Sequence, residues 1–551
     1  MNKTCRILIS ACLLAFAGKA VSASIEIDYR QPAKPFKNFW NSTGFSPADV
    51  VATSEMKQVL WDVGQLSEKG IKYVRPHYLL NLAEVRDIES GRPIYDWTRL
   101  DQALDELARN HLKLIFELMG FPSDGTGYGA SQYDQNFQEQ LTRQKSYFDN
   151  FRDRAQLLHW KDFISALALH LEERYGQEEV RSWFFESTNE PDIPQFWRYD
   201  VRVFLNYYDA CSEGLKAADP ALQFGGPGTA RDFALPDAQE PSAILAALLD
   251  HCDNGQNYLT GEIGVRIDFI SIHVKALPAP MIKRELRIYD YIQTHHAKFS
   301  QKPFINDEAD PIVGWAKPYW WERGPWYAAF MAQNIDLHQR LMIQEAKVNY
   351  RLMSSDHTFM GDWNQRTTHA LFRNQRNAAG FISIKKPVLS VMEMVAQLGG
   401  QVVDVQVPLE LSDYFGVIST IDHETLAILV YNKTSIEIGR EAKPEPDVEV
   451  ALMKKQQVQV QLRIRGIKGL TATLKEFRID ETHGNPHHEW VAMGKPQILK
   501  DDQIAQLKKA EAPALVRNEQ INCPQNEYTL SLTVTSPSVH LIVIVPESLG
   551  K

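Results

Sequence analysis

Apolar and polar residues along the chain follow two rhythms, and the change comes near Gly400. Before it, short apolar runs of strand length alternate with longer stretches whose apolar residues recur at helical spacing. The runs predict strands over 39–45, 72–77, 112–119, 182–187, 222–226, 267–274, 303–307 and 348–354. The stretches between and after them predict helices over 55–68, 100–110, 160–175, 201–217, 241–251, 281–296, 326–343 and 388–398. Strand and helix in strict alternation, eight times over, predict an α/β fold of the (β/α)8 TIM barrel type. An open doubly wound sheet usually carries a glycine-rich phosphate loop after its first strand. Here Gly225-Gly226-Pro227-Gly228 follows the fifth strand without that spacing, and reads as a turn at a strand's end.

After Gly400 the helical rhythm stops, apart from about 502–511. Alternating runs at 425–431, 457–463, 472–479, 528–534 and 538–545 are separated by polar, proline-rich turns, and predict a C-terminal β-sandwich. Residues 24–29 also alternate and are expected to pair with strands distant in sequence. The expected organisation is a signal peptide over 1–23, a strand joining the sandwich over 24–38, a catalytic barrel over 39–400 and the sandwich over 401–551. A chain of 551 residues is long enough for two such cores.

The first residues read as a leader. Lys3 and Arg6 precede a short apolar core over 7–18 and a small-residue site, Val21-Ser22-Ala23, with cleavage expected after Ala23. The chain is therefore expected to enter the secretory pathway: lysosomal or extracellular in a eukaryote, periplasmic or secreted in a bacterium. No later stretch is long and apolar enough to span a bilayer. The net charge is −10, and losing Lys3, Arg6 and Lys19 with the leader makes it more negative. Such a chain is not steered to nucleic acid or anionic membranes, so an anionic substrate must be held by local cations. Of five cysteines, Cys211, Cys252 and Cys523 lie beyond the leader, which allows at most one disulfide. No cysteine or histidine spacing fits a metal site, and no cofactor is implied.

Candidate chemistry gathers where barrel strands end, the face on which this fold places its reactive residues. Phe184 to Pro191 runs apolar into Asn189-Glu190 and stops at proline; Pro303 to Pro311 runs apolar into Asp307-Glu308 and stops the same way. Two strand ends that each present a carboxyl predict two acids facing one pocket, as a retaining glycosidase requires. Glu190 and Glu308 are the candidate pair; spacing does not decide which attacks and which transfers the proton. Other strand-end residues are Arg75, His77, Glu117, His273, Lys275 and Asp356, with Arg366 shortly after the eighth strand. Each has a plainer reading: Glu117 as a structural acid, His273 as a hydrogen-bonded histidine, Lys275 and Arg366 as surface cations, Asp307 and Asp310 as residues that order a loop.

At these residues the chain resembles the iduronide-cleaving members of glycoside hydrolase family 39. The matching stretches include Phe39-Trp40, Ser42 to Phe45, Phe116 to Gly120, Asn189 to Asp192, Phe204 to Gly214, Asn306 to Pro311 and Val313-Gly314-Trp315. The resemblance implies retaining hydrolysis of terminal α-L-iduronic acid from glycosaminoglycans, dermatan sulfate and heparan sulfate. It implies acid/base at Glu190, nucleophile at Glu308, and substrate contacts at His77, Asn189, His273, Lys275, Gly314, Trp315, Asp356 and Arg366, with Arg75 nearby. Lys275 and Arg366 are then the cations expected to hold a uronic carboxylate. The family usually has Trp before Asn-Glu-Pro, where this chain has Thr188. A β-xylosidase of the same family and a non-catalytic glycan-binding protein are the alternatives.

Overall fold

A computed structural model of the chain describes residues 21–45, 48–66, 69–124, 146–231, 241–314, 318–357, 361–373, 380–434 and 456–547. Its centre is a parallel eight-stranded sheet. In chain order the strands are Ser42–Phe45, Tyr73–Pro76, Lys113–Glu117, Phe184–Glu186, Gln223–Thr229, Ile270–Ile272, Phe304–Asn306 and Tyr350–Met353, and each pairs with the next. Two backbone hydrogen bonds close the ring between last and first: Gly44 N–H to Ser355 O at 2.6 Å and Met353 N–H to Phe39 O at 2.7 Å. The result is a TIM barrel, with every expected strand present and most of them shorter than the apolar run that announced it.

Two expectations are overturned: a second helix, Pro486–Ala492, lies in the part of the chain after Gly400, and the glycine-rich segment is not a turn. Gly225 to Gly228 lies inside the fifth strand, which runs on to Thr229. The glycines answer to crowding. A Cβ on Gly225 would sit 2.2 Å from the Phe269 carbonyl oxygen, and one on Gly228 would sit 3.0 Å from Glu186 Oε1.

Helices follow the strands at Met56–Gly64, Thr98–Arg109, Arg154–Tyr175, Val201–Ala218, Ala243–Asn254, Pro278–His295, Pro325–Leu337 and Pro387–Val395. Asp153, Asp200 and Ser242 begin three of them by accepting a hydrogen bond from the first turn.

Strand periodicity explains how the barrel interior is layered. Side chains two apart on a strand share a face. Tyr73, Ile115, Phe184, Phe269, Ile305 and Leu352 form one buried apolar layer inside the ring. Two residues further along the same strands come Arg75, Glu117, Glu186, Ser271 and Asp307, all buried. The barrel thus has an apolar floor with a charged layer directly above it.

Beyond the barrel, a seven-stranded sheet faces a three-stranded one over a common apolar core, which completes a β-sandwich. Val21–Asp28 is the edge of the smaller sheet, pairing in parallel with Gln457–Arg465. The expected leader lies outside the described residues except for Val21 to Ala23, which form the start of this strand. Strands Gln401–Val403, Phe415–Asp422 and Ala514–Asn522 had no clear signal in the sequence. Phe415–Asp422 is buried over most of its length and so does not alternate, while Ala514–Asn522 is an edge strand, largely polar and exposed. Tyr431 O–H reaches across to Asp336 Oδ2 at 2.7 Å and fastens the sandwich to the helix Pro325–Leu337.

Cys211, Cys252 and Cys523 are buried and unpaired, so none of the disulfides that three cysteines allow is formed. No helix among the described residues is long and apolar enough to cross a membrane.

Candidate active site

The charged layer converges on Arg75. Its guanidinium meets Glu117 Oε1 at 2.6 Å, Glu186 Oε2 at 2.9 Å, Asp307 Oδ2 at 3.1 Å and Glu308 Oε1 at 2.9 Å, and donates to Asn189 Oδ1 at 3.0 Å. One cation fully out of water would be costly alone. Burial does work against its charge, but the four carboxyls outweigh it and push the Arg75 pKa well above the ordinary value.

Four buried carboxyls cannot all ionise around one guanidinium. Burial, with Asp307 and Glu117 nearby, pushes Glu186 well above the usual carboxyl range, so it carries a proton. It accepts from the Ser271 hydroxyl. Asp307 remains below the usual range because Arg75 and His273 overcome its burial.

Above this layer lie the two glutamates at the strand ends. Glu190 follows the fourth strand in a left-handed backbone conformation, φ 42°, with its N–H on Gly228 O at 3.0 Å. Glu308 follows the seventh strand and is almost wholly buried. Carboxylate oxygens of Glu190 and Glu308 and a ring nitrogen of His273 all lie within 4.8 Å of one another. His273 Nδ1 is 3.0 Å from Glu190 Oε1 and 3.5 Å from Glu308 Oε2. Burial opposes ionisation of Glu308, yet His273, Lys275, Arg75 and His77 hold it well below the ordinary carboxylate range. The same charges act back on the cations: Glu308 and Asp307 raise His273 well above its usual value against its burial. His77 is raised too, by Glu117, to which its Nδ1–H donates at 2.6 Å.

Lys275 ion-pairs with Glu308 and lies 3.2 Å from Asp356 Oδ2. Asp356 continues to Arg366, 3.8 Å from its Oδ2. Arg366 does not reach the cleft surface. It is 0% exposed, 3.2 Å from Asp310 Oδ2, and donates to Ile312 O at 2.6 Å. Lys275 and Arg366 both have carboxylate partners within the protein. Arg366 instead holds the loop that leads to Gly314, which takes φ 97°. Trp315 falls outside the described residues.

The structure thus brings Arg75, His77, Asn189, Glu190, His273, Lys275, Glu308 and Asp356 to one cleft and sets Arg366 behind it. Glu186 is the member that sequence reading passed over. Its signal was present: a carboxyl ending a fully buried strand, two residues beyond Phe184 of the apolar floor. Asp307, which the sequence offered as a loop-ordering residue, belongs to the charged layer.

Two clusters offer metal-like geometry, His77/Glu308/Asp356 and Glu190/His273/Glu308. In both, the histidine is already engaged by a carboxylate: His77 Nδ1 lies 2.6 Å from Glu117 Oε2 and His273 Nδ1 lies 3.0 Å from Glu190 Oε1. What the arrangement supports chemically is attack by one ionised carboxylate beside a second carboxyl that can carry a proton.

Comparison with known proteins agrees with that chemistry. The chain matches glycosyl hydrolases family 39 over residues 23–523. It is similar to alpha-L-iduronidase of Homo sapiens, 33% identical over 521 residues, covering 89% of this chain and 73% of that protein. A solved structure of a bacterial orthologue of human α-L-iduronidase superposes with a TM-score of 0.81 at 32% identity, covering 96% of this chain and 85% of that one. A beta-xylosidase of Caldicellulosiruptor saccharolyticus is 24% identical over 507 residues, covering 87% of this chain and 89% of that protein.

Proposed function

The chain belongs to glycosyl hydrolases family 39 and is a glycoside hydrolase, and on that premise we propose that it releases terminal α-L-iduronic acid from glycosaminoglycans such as dermatan and heparan sulfate. The mechanism is double displacement with retention. Glu190 gives its proton to the glycosidic oxygen while the Glu308 carboxylate attacks the anomeric carbon; the carbon–oxygen bond breaks and a glycosyl ester forms. Glu190, now a base, takes a proton from water, the water oxygen bonds to the anomeric carbon, and Glu308 leaves as carboxylate.

The observation that carries this reading is the Glu308 carboxyl, held well below the ordinary carboxylate range, with the Glu190 carboxyl within 4.8 Å. That bound is well short of the roughly 6.5–9.5 Å that an inverting pair needs to admit a water. His273 ties the two together. Asn189 is oriented by Arg75 at its Oδ1, which leaves its amide N–H groups to donate to a sugar hydroxyl. Lys275, at 10% side-chain exposure, is the cation a uronic carboxylate can reach.

A β-xylosidase is the second reading. It draws on the similarity to the Caldicellulosiruptor enzyme and on the internal carboxylate partners of Lys275 and Arg366, which leave no bare cation when the sugar is neutral. Turnover of aryl α-L-iduronide, aryl β-xyloside and aryl β-glucuronide separates the two. We expect kcat/KM for the iduronide to exceed the others by at least a hundredfold. Equal or faster cleavage of the xyloside overturns the iduronide assignment.

A further inference from the structure

Alongside Arg366, a row of buried hydrogen bonds runs from the first barrel strand to the backbone of Asp356. Thr43 Oγ1 lies 2.6 Å from His357 Nδ1. His357 Nε2 lies 3.3 Å from the Tyr327 hydroxyl, which is 2.8 Å from Asp310 Oδ1. Asp310 Oδ2 accepts from the Asp356 N–H at 2.9 Å. Thr43, His357, Tyr327 and Asp310 are all buried. They come from four parts of the ring: the first strand, the segment after the eighth, the helix Pro325–Leu337 and the segment after the seventh. None of Thr43, His357 and Tyr327 has a part in the double displacement itself.

The partners fix where the protons lie. Burial raises the Asp310 pKa, yet donors surround its carboxyl: the Tyr327 hydroxyl, the Asp356 N–H and the Arg366 guanidinium, 3.2 Å from Oδ2. Asp310 therefore accepts, and Tyr327 gives it the hydroxyl proton. The Tyr327 oxygen can then only accept in turn, so His357 carries its proton on Nε2. Its Nδ1 is left with a lone pair, to which the Thr43 hydroxyl donates. Burial, with Arg366, Lys386 and His369 nearby, holds the His357 pKa well below the ordinary imidazole value, which keeps the ring in this neutral form. Every side-chain donor in the row points toward Asp310, and Asp310 holds the Asp356 backbone.

What the row delivers is position. Asp356 Oδ2 is 3.2 Å from Lys275 Nζ, and Lys275 also ion-pairs with Glu308. Asp356 thus shares Lys275 with the nucleophile, whose attacking oxygen must keep a lone pair for the anomeric carbon. We propose that His357 is a positioning residue for the displacement: by fixing the Tyr327 hydroxyl on Asp310 it sets Asp356, and so how closely Lys275 binds Glu308. The proposal rests on the reading of Glu308 as nucleophile.

The test reads kcat and KM separately, for whichever of the three aryl glycosides wild-type protein cleaves fastest. His357→Phe keeps a ring against Tyr327, now 5.9 Å from the imidazole centre to centre, and removes both ring nitrogens. There kcat is expected to fall about tenfold with KM held within about threefold, because the row adjusts the nucleophile rather than a sugar contact. His357→Gln returns an N–H close to the Nε2 position, and kcat is expected to recover to within about threefold of wild type. Tyr327→Phe deletes only the hydroxyl and is expected to match the His357→Phe loss. In the double variant the two losses should not multiply, since both break one row. A kcat unchanged within about twofold in His357→Phe, or in Tyr327→Phe where His357→Phe does not fold, overturns the proposal. So does a glutamine no better than phenylalanine, or a double variant whose loss is the product of the two. In each of these cases wild-type turnover stands, and the reading of Glu308 with it. Wild-type protein that cleaves none of the three glycosides overturns that reading and this inference together.

Discussion

Glu190 and Glu308 come from strand ends on different sides of the barrel, yet each brings a carboxylate oxygen to within 4.8 Å of the other, with His273 in contact with both. Their surroundings differ sharply. Glu308 is enclosed by four cationic side chains, whereas Glu190 is half-buried with His273 as its one ion-pair partner among the described residues. Environments that separate two carboxyls in this way also separate their roles.

That division predicts how the two variants fail. Glu308→Gln removes the nucleophile, so turnover is expected to drop by roughly 10⁴-fold or more for every leaving group, while substrate binding survives. Glu190→Gln removes only the proton donor. Its loss in the first step should be large for a poor leaving group, about 10²–10⁴-fold, and small for dinitrophenolate, which departs without help. Single-turnover rates across a series of aryl glycosides check this. A loss in Glu190→Gln that is independent of leaving group refutes the acid assignment.

Lys275 is one of the charges that hold Glu308 ionised. Removing it lets the Glu308 pKa rise, so the nucleophile becomes protonated at a higher pH than before. In Lys275→Ala the acid limb of the pH–kcat/KM profile should therefore move to higher pH, and Lys275→Arg should restore much of it. Iduronide turnover should also fall further than xyloside turnover, since only the uronide loses a carboxylate contact. A profile with its acid limb in place contradicts the electrostatic role.

The same cluster gives stability a pH window. Glu308 and Asp307 have depressed folded pKa values, so their contribution is complete above the unfolded carboxyl value of about 4 and is lost as pH falls through the folded values. His273 and His77 have raised folded values, so their contribution is complete below about 6.5 and is lost as pH rises through the folded values. Thermal unfolding should be most resistant between these limits, with a decline on the alkaline side that flattens in His273→Asn. An alkaline decline of equal steepness in that variant assigns the effect to other groups.

Most of this architecture is legible in the sequence because apolar runs and helical spacing survive in a barrel whose strands are buried on both faces. Glu190 and Glu308 could be singled out because each ends such a run shortly before a proline. The proton shared near Glu186 could not. It depends on Arg75, Asp307 and Ser271 arriving from three other strands, and no local pattern encodes that meeting. The sandwich edges were missed for a related reason: Ala514–Asn522 gains its strand identity from pairing with Thr471–Ile479, not from its own polar residues.

Arg75 is where that buried meeting can be measured. Arg75→Ala leaves Glu117, Asp307 and Glu308 without their shared cation in a site closed to water. Losing one partner of a buried pair costs about 3–5 kcal/mol, and here several pairs go at once. A large fall in Tm is expected together with loss of activity. Arg75→Lys should recover only part of either, because an ammonium cannot reproduce the fork that reaches Glu117, Glu186 and Glu308 together. Full recovery by lysine excludes a geometric role for the guanidinium.

Arg366 separates a cation that touches substrate from one that shapes the site. Its charge is fully buried and engaged with Asp310, Asp356 and the Ile312 carbonyl. Its removal therefore acts on the protein before it acts on the sugar. Arg366→Ala should lower Tm, and should depress iduronide and xyloside turnover by similar factors, because the displaced Asp356 and Gly314 loop serve either sugar. Lys275→Ala, by contrast, should discriminate between them. Measuring kcat/KM for both substrates in both variants gives four ratios. If Arg366→Ala proves as selective against the uronide as Lys275→Ala, Arg366 meets the substrate carboxylate itself, and the closed position it occupies beside Asp310 must open when substrate binds.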